Sequence, residues 1–192
     1  DDASTDETAA LLRSYGRTIR VVTHETNQGF SQSCNDGAAT ARGDLLVFLN
    51  NDTEPRPQWL DTMVDYRREH PEAGIVGSRL LYPDGTIQHA GITVGQDLNL
   101  RHLYVGLPAD FPAALHSRRR MAVTGACFLL ERRLFERLGG FDTGYLNSFE
   151  DVDLCMRVAE LGLESHYCAN SVVVHHESVT RKGRGRQDRQ NA

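Results

Sequence analysis

Four places in the chain concentrate side chains able to hold a cation or move a proton. The first is Asn50-Asn51-Asp52, at the end of the apolar run 44–49. A carboxylate at the C-terminal end of a strand stands where open α/β sheets bind ligands. Mg²⁺ or Mn²⁺ takes oxygen donors there, commonly one or two carboxylates together with a substrate diphosphate. Taken alone, the same three residues read as a turn after a strand. The second place is Glu150-Asp151, with Asp153 behind it, at the start of a helical pattern. Carboxylates in a first turn complement the helix dipole, and one of the pair is also positioned to accept the proton of an attacking hydroxyl. Asp151 is the candidate base. The third is His175-His176-Glu177, closing the run 172–175. Histidine is a common metal ligand, and strand alternation lets only one of the two face a given site; the competing reading is an ordinary surface or core histidine. The fourth is Asp2, which suits a hydrogen bond to a nucleotide base or ribose but competes with capping of the helix that follows.

These groups need elements to place them. Ser4 and Glu7 fit a capping box for a helix running to about Tyr15 and ended by Gly16. Residues 18–24 are rich in β-formers and predict a strand. Asn27-Gln28-Gly29 is a turn, 31–41 a helix, and 44–49 a strand buried on both faces. Trp59, Leu60, Met63 and Val64 recur at helical spacing, so 58–70 is a helix stopped by Pro71. Strands are expected at 75–81, 88–94 and 121–130, with 96–120 a long loop. A helix over 131–138 ends at Gly139-Gly140. Val152, Cys155, Met156 and Ala159 mark one face of a helix stopped by Gly162. Two short strands, 165–168 and 172–175, finish the domain. Strands alternate with helices early and mix later, which predicts an α/β sandwich with a mixed sheet.

The chain has 192 residues, 40% of them hydrophobic and 24% charged, enough for one domain with a real core. The net charge of −5 argues against a general nucleic-acid binder. Basic runs occur at Arg118-Arg119-Arg120 and over 181–186. Both read first as solvated segments, with an anionic substrate or a membrane surface as the alternative. The four cysteines lack zinc-type spacing and fit small buried hydrophobes in a reducing compartment. No apolar run is long enough to span a bilayer and no signal peptide is visible. The abrupt start at Asp1 predicts a chain cut from a longer protein.

The ordered set of motifs resembles the family 2 glycosyltransferases of the GT-A fold. It comprises Asp2-Ala3-Ser4-Thr5-Asp6; Asn27-Gln28-Gly29-Phe30 with Asn35 and Gly37; Gly43-Asp44 followed by LLVFLNNDTEP; Thr124-Gly125-Ala126-Cys127; Leu138-Gly139-Gly140-Phe141-Asp142; Phe149-Glu150-Asp151-Val152-Asp153-Leu154; and His175-His176-Glu177-Ser178. The segment LLYPDGTIQHAG is similar to the bacterial branch making O-antigen, rhamnan and other surface polysaccharides. The resemblance implies a three-layer sandwich over residues 1–180, followed by a basic, disordered tail at 181–192. It also implies that a first strand–helix unit, present in the family ahead of Asp1, is missing.

Residue by residue, Asn50-Asn51-Asp52 stands at the family's Asp-x-Asp motif. Asn50 replaces the first acid, so Asp52 becomes the main carboxylate on the metal. His175 matches the metal- or diphosphate-contacting histidine. Asp151 matches the catalytic base of inverting members, and Glu150 orients the site. Asp2, Asn27, Gly29 and Asn35, with Asn50 and Asn51, would line the nucleotide pocket. Thr124 and Gly125 would lie near the acceptor or donor sugar. The implied reaction is inverting transfer from a UDP- or dTDP-sugar to a glycan or lipid-linked acceptor, with Mg²⁺ or Mn²⁺. It would take place in the cytoplasm, with peripheral contact at the inner face of the membrane, within a larger multidomain chain. The segment 96–120 would close over the donor as a lid. Two rivals stand beside it: a non-catalytic nucleotide-sugar-binding or scaffold module of the same fold, and a nucleotidyltransferase, whose Gly-rich basic phosphate loop is not seen.

Overall fold

The computed structural model describes residues 1–145 and 148–176; the expected tail at 181–192 and Glu177 of the histidine motif lie outside them. Apolar runs bounded by turn residues form the strands, and amphipathic stretches form the helices that cover them. In chain order the elements are α1 (Thr8–Ser14), α2 (Phe30–Thr40), β1 (Leu45–Leu49), β2 (Thr53–Pro55), α3 (Trp59–Glu69), β3 (Ala73–Leu81), β4 (Ile87–His89), β5 (Ile92–Val94), β6 (Leu100–His102), β7 (Arg118–Arg120), β8 (Cys127–Glu131), α4 (Arg132–Arg137), α5 (Glu150–Glu160) and β9 (Glu164–His175). Short 3₁₀ turns occupy Gly16–Thr18 and Pro112–Ala114.

Seven strands make one mixed sheet in the order β1-β8-β3-β9-β2, with β4 added to β3 and β7 to β9. β3 and β9 run parallel and the other pairs are antiparallel. Side-chain alternation sends Ile75, Phe128 and Leu130 to one face, where α2, α4 and α5 cover them with Ala38, Leu134, Phe135, Leu154 and Val158. It sends Val76, Leu129 and Cys127 to the other face, against Met63 and Trp59 of α3. The result is the expected three-layer α/β sandwich. All four cysteines are free, and Cys127, Cys155 and Cys168 are buried. No helix among the described residues is long and apolar enough to cross a membrane.

Several expectations need correction. Residues 18–24 form no strand. The pairing found there is a single parallel bridge, Asp2↔His24, and Ile19 and Val21 stay exposed; β-forming residues need a neighbouring ladder before they become a strand. The capping box is not made: α1 starts at Thr8, whose N–H donates to Asp6 Oδ1 at 2.9 Å. β1 is not buried on both faces along its length. Leu46 and Phe48 enter one core and Leu45 packs against the other, while Val47 and Leu49 are 36% and 42% exposed.

The strand expected at 88–94 breaks at Gly91, whose φ is +106°. A Cβ there would lie 2.5 Å from the Arg120 side chain. The break leaves β4 in the main sheet and puts β5 in a separate hairpin with β6. Residues 96–120 are not an irregular loop. They contribute β6 and β7 and are pinned by Tyr167 Oη donating to Ala114 O (2.8 Å) and Arg79 donating to Ala109 O (2.9 Å). The strand expected from Met121 begins only at Cys127, and Val123 packs into the space left by Gly77, where a Cβ would meet it at 2.5 Å. Finally, the two last strands are one, β9, with register shifts against β3 between Ala73/Ile75 and Ser78/Arg79.

Candidate active site

The site forms at the end of the sheet where β1 and β9 both finish. Pairing of β2 with β9 sets Thr53 opposite His175. This brings Asp52 Oδ1 to 3.0 Å from His175 Nε2, with the His175 side chain 12% exposed. The backbone reinforces the pairing, since His176 N–H donates to Asp52 O at 2.9 Å. Of the two adjacent histidines, His175 is therefore the one facing Asp52. His176 points to Glu54, at 2.9 Å.

Protonation at this pair follows from its neighbours. The Gln88 amide nitrogen donates to His175 O (3.4 Å), which leaves Gln88 Oε1 facing His175 Nδ1 at 2.7 Å. An amide oxygen only accepts, so Nδ1 carries the proton. In neutral imidazole, Nε2 is then a lone pair directed at a carboxylate oxygen. In keeping with this, Asp52 Oδ1 is buried and receives no hydrogen bond. A proton on Nε2, or a cation held by both groups, satisfies a nitrogen and a carboxylate oxygen 3.0 Å apart. A divalent metal fits this requirement, and Gln88 supplies the outer partner that metal-bound histidines normally have. Nitrogen-plus-carboxylate donors suit Mn²⁺ better than Mg²⁺.

The second half of the site hangs on residues 123–126. Asn50 N–H donates to Ala126 O (2.9 Å), and Gly125 N–H donates to Asp151 Oδ2 (2.8 Å). The end of β1 and the first turn of α5 are thus tied to one short segment. Asp151 also accepts from its neighbour's N–H at Val152 (2.8 Å). A carboxylate has about four acceptor positions, so capacity remains for a further donor. Phe149 enters α5 in the left-handed region at φ +76°, which turns Glu150 and Asp151 abruptly into the helix. Glu150 lies near Cys34, whose thiol is pushed up to about 12 by burial and then by that carboxylate.

Sequence reasoning assigned no role to Gln88 or His89 of β4. His89 is wholly buried, and its Nε2 accepts the N–H groups of Gly91 (3.2 Å) and Thr124 (3.4 Å). Nδ1 must then carry the proton and donate to His102 Nδ1 at 3.2 Å. Burial, reinforced by His102 and Arg120, drives the His89 pKa well down, so the ring stays neutral. Adjacent β4 residues therefore serve the two halves, Gln88 the Asp52–His175 pair and His89 the Thr124-Gly125 segment. The string Gln88-His89 lay inside a motif noted in the sequence, but residue types alone do not show which faces they serve.

The N-terminal group is built differently. Asp2 accepts from the N–H of Gln28 (2.7 Å) and Gly29 (2.9 Å) and contacts His24 Nδ1 (2.9 Å). His24 Nε2 reaches Asp36 at 3.0 Å. Burial raises the Asp2 pKa, but the Gln28, His24 and Gly29 contacts outweigh it and the net shift is downward. The Asp2 bond, then that of Asp36, holds His24 upward against desolvation. Asp2 so anchors the 27–29 turn, and Asn27 donates to the Asp2 carbonyl at 3.4 Å. Gly29 sits at φ +86° ahead of α2. Asn35 spends its amide on Phe141, donating to its O (2.9 Å) and accepting from its N–H (2.8 Å). Asn51 is exposed beside Asp52. A cavity of about 440 Å³ lies between α1 and residues 19–23 and includes none of Asp52, Asp151 or His175.

The mixed sheet, with the Asp52–His175 pair and Asp151 at one end, has the GT-A fold. Two solved structures share the fold. GalNAc-T7 with UDP, GalNAc and Mn²⁺ superposes with a TM-score of 0.70 at 17% identity, over 91% of this chain and 35% of that one. The mannosyltransferase PcManGT from Pyrobaculum calidifontis, with GDP-Man and Mn²⁺, does so with a TM-score of 0.65 at 20% identity, over 92% and 46%. Residues 1–139 match the family Glycosyl transferase family 2, and the chain belongs to it. It is 41% identical over 154 residues to the O-antigen biosynthesis protein RfbC of Myxococcus xanthus, covering 77% of this chain and 12% of that protein. It is 24% identical over 200 residues to the N-acetylglucosaminyl-diphospho-decaprenol L-rhamnosyltransferase of Mycobacterium tuberculosis, covering 93% and 65%. These relatives support the surface-polysaccharide branch expected from the sequence.

Proposed function

We propose that this chain is the catalytic core of an inverting, divalent-metal-dependent glycosyltransferase. It moves a sugar from a UDP- or dTDP-sugar to a glycan or lipid-linked acceptor in surface-polysaccharide synthesis. The observation that carries this reading is the Asp52 Oδ1–His175 Nε2 pair, 3.0 Å apart, with Asp52 Oδ1 buried and without a hydrogen bond, a donor set that a divalent cation fits. Bound there, Mg²⁺ or Mn²⁺ would supply charge neutralisation for the departing diphosphate.

The rest of the work belongs to side chains. Asp52 and His175 would hold the cation that fixes where the diphosphate lies, and Gln88 keeps the His175 Nε2 lone pair free for it. Gly125 N–H and Val152 N–H hold the Asp151 carboxylate in one orientation. Asp151 accepts the acceptor's hydroxyl proton as that oxygen attacks the anomeric carbon from the face opposite the leaving group. Glu150 orients the site. Asn27, Gly29, Asn35, Asn50 and Asn51 border the donor, with Asp2 fixing the 27–29 turn. Thr124 and Gly125 border the sugar. The donor comes from the cytoplasm and the acceptor from the inner membrane face, with further domains of a larger chain alongside.

The test is a donor panel with Mg²⁺ or Mn²⁺, reading nucleoside diphosphate released in the presence of acceptor glycans. One donor should turn over. Asp151→Asn should lose at least about a hundredfold in turnover, and Asp52→Ala should abolish metal-dependent donor binding while leaving the metal-free melting temperature unchanged. Turnover unaffected by Asp151→Asn removes the base assignment. Asn50, a neutral residue beside the metal pair, favours a second reading as a nucleotide-sugar-binding module. That reading predicts metal-dependent thermal protection by UDP or dTDP with no release from any donor.

A further inference from the structure

At the opposite end of β9 a second constellation has no part in this chemistry. His70 follows α3, Glu72 lies on the short link to β3, and His166 is the third residue of β9. One donor atom from each lies within 4.8 Å of the other two. β9 runs nine residues from His166 to His175, a span of roughly 30 Å, so the two constellations are separate.

Three features distinguish this group from a solvated charge cluster. First, His70 Nδ1 and Glu72 Oε1 are 3.0 Å apart and need to part only to the roughly 3.3–3.6 Å between two donors on one tetrahedral ion at bond lengths of about 2.0–2.2 Å. Second, His166 is fixed and buried, its side chain 6% exposed. Tyr66 Oη lies 2.9 Å from its Nδ1 and Glu164 Oε2 lies 2.8 Å from its Nε2. Whichever ring nitrogen takes a metal, the other keeps an oxygen partner, as metal-bound imidazoles require. Third, the ring of His70 stacks near Tyr66, with centroids 4.2 Å apart, and lies 5.6 Å from the ring of His166. Glu72 is exposed and His70 half-buried, so both side chains have room to turn toward His166.

We propose that His70, Glu72 and His166 form a second metal site, for a borderline transition cation of the Zn²⁺ type. Two imidazoles and one carboxylate select Zn²⁺, Co²⁺ or Ni²⁺ over Mg²⁺. A solvent molecule completes four-coordination. Glu164 stays in the outer shell, since Arg119 also claims it at 3.2 Å. The ion joins the end of α3 to the starts of β3 and β9, fastening the sheet at the end remote from the transfer site. The proposal does not rest on the transferase reading.

The experiment is calorimetric titration of chelator-stripped protein with Zn²⁺, and with Co²⁺ while following its visible absorption. Three proteins are compared: the wild-type chain, Asp52→Ala, and the double variant His70→Gln with Glu72→Gln. Both altered positions in the double variant are solvent-accessible, and an unchanged metal-free melting curve shows that it folds. Wild type and Asp52→Ala should each bind one equivalent at this site with the absorption of a tetrahedral cobalt centre. The double variant should lose that equivalent, or bind it at least about tenfold more weakly. Absence of saturable Zn²⁺ binding, or an isotherm unchanged by the double variant, overturns the proposal. Loss of the whole signal in Asp52→Ala does the same, by assigning the ion to the transfer site.

Discussion

At the level of single residues, the chain uses hydrogen-bond direction to set the state of its histidines. His175 is held with Nε2 bare by a glutamine oxygen, and His89 with Nε2 accepting by two backbone amides. The second case has a measurable pH consequence. His89 has a folded pKa well below its unfolded value of about 6.5. The unfolded chain therefore binds more protons below that pH, and stability falls as pH drops from about 6.5 towards the folded pKa. His24 acts oppositely. Its folded pKa is raised, so its contribution is complete below about pH 6.5 and fades as pH rises through the folded value. His89→Leu should cost about 2–4 kcal/mol at neutral pH, because the Gly91 and Thr124 N–H groups lose their acceptor. It should also flatten the acid-side slope of the melting temperature. A slope identical to wild type would remove His89 from this role.

Between elements, the bridge that matters most is Asn35. Its amide ties α2 to residue 141 through both backbone groups of Phe141, across 106 positions of sequence. Gly140 at φ +77° lets the backbone come this close, since a Cβ there would lie 2.5 Å from Asn35 Oδ1. Asn35→Ala should lower stability by about 2–3 kcal/mol, as two buried backbone groups lose partners, read by denaturant melts. The same element shows how far residue order can be read. The helices expected over 31–41 and from Val152 to Gly162, and the strands at 44–49 and 75–81, were legible from period and turn residues. The Asp52 motif stood out only as part of an ordered set. β4 was not, because its break at Gly91 answers to Arg120, a residue 29 positions away. β7 was also hidden: three consecutive arginines read as a solvated loop, yet they pair with β9. The strand expected at 18–24 failed for the converse reason, as its local preference met no ladder. Strand identity is decided by partners, and partners are not written locally.

For the whole molecule, the layers place catalytic-type groups at one end of the sheet and the His70–Glu72–His166 group at the other. The chain spans only part of its curated relatives, from 12% to 65% of those described, so its behaviour alone bears on how it is handled. β1 is the rim of the sheet, and Val47 and Leu49 meet solvent there. An apolar rim strand with open backbone groups is a template on which another chain can lay a strand of its own. Purified as it stands, the chain should grow heavier with concentration in sedimentation velocity, through reversible strand addition rather than unfolding. Val47→Lys, which puts a charge on that rim and leaves Asp52 untouched, should return it to a single concentration-independent species.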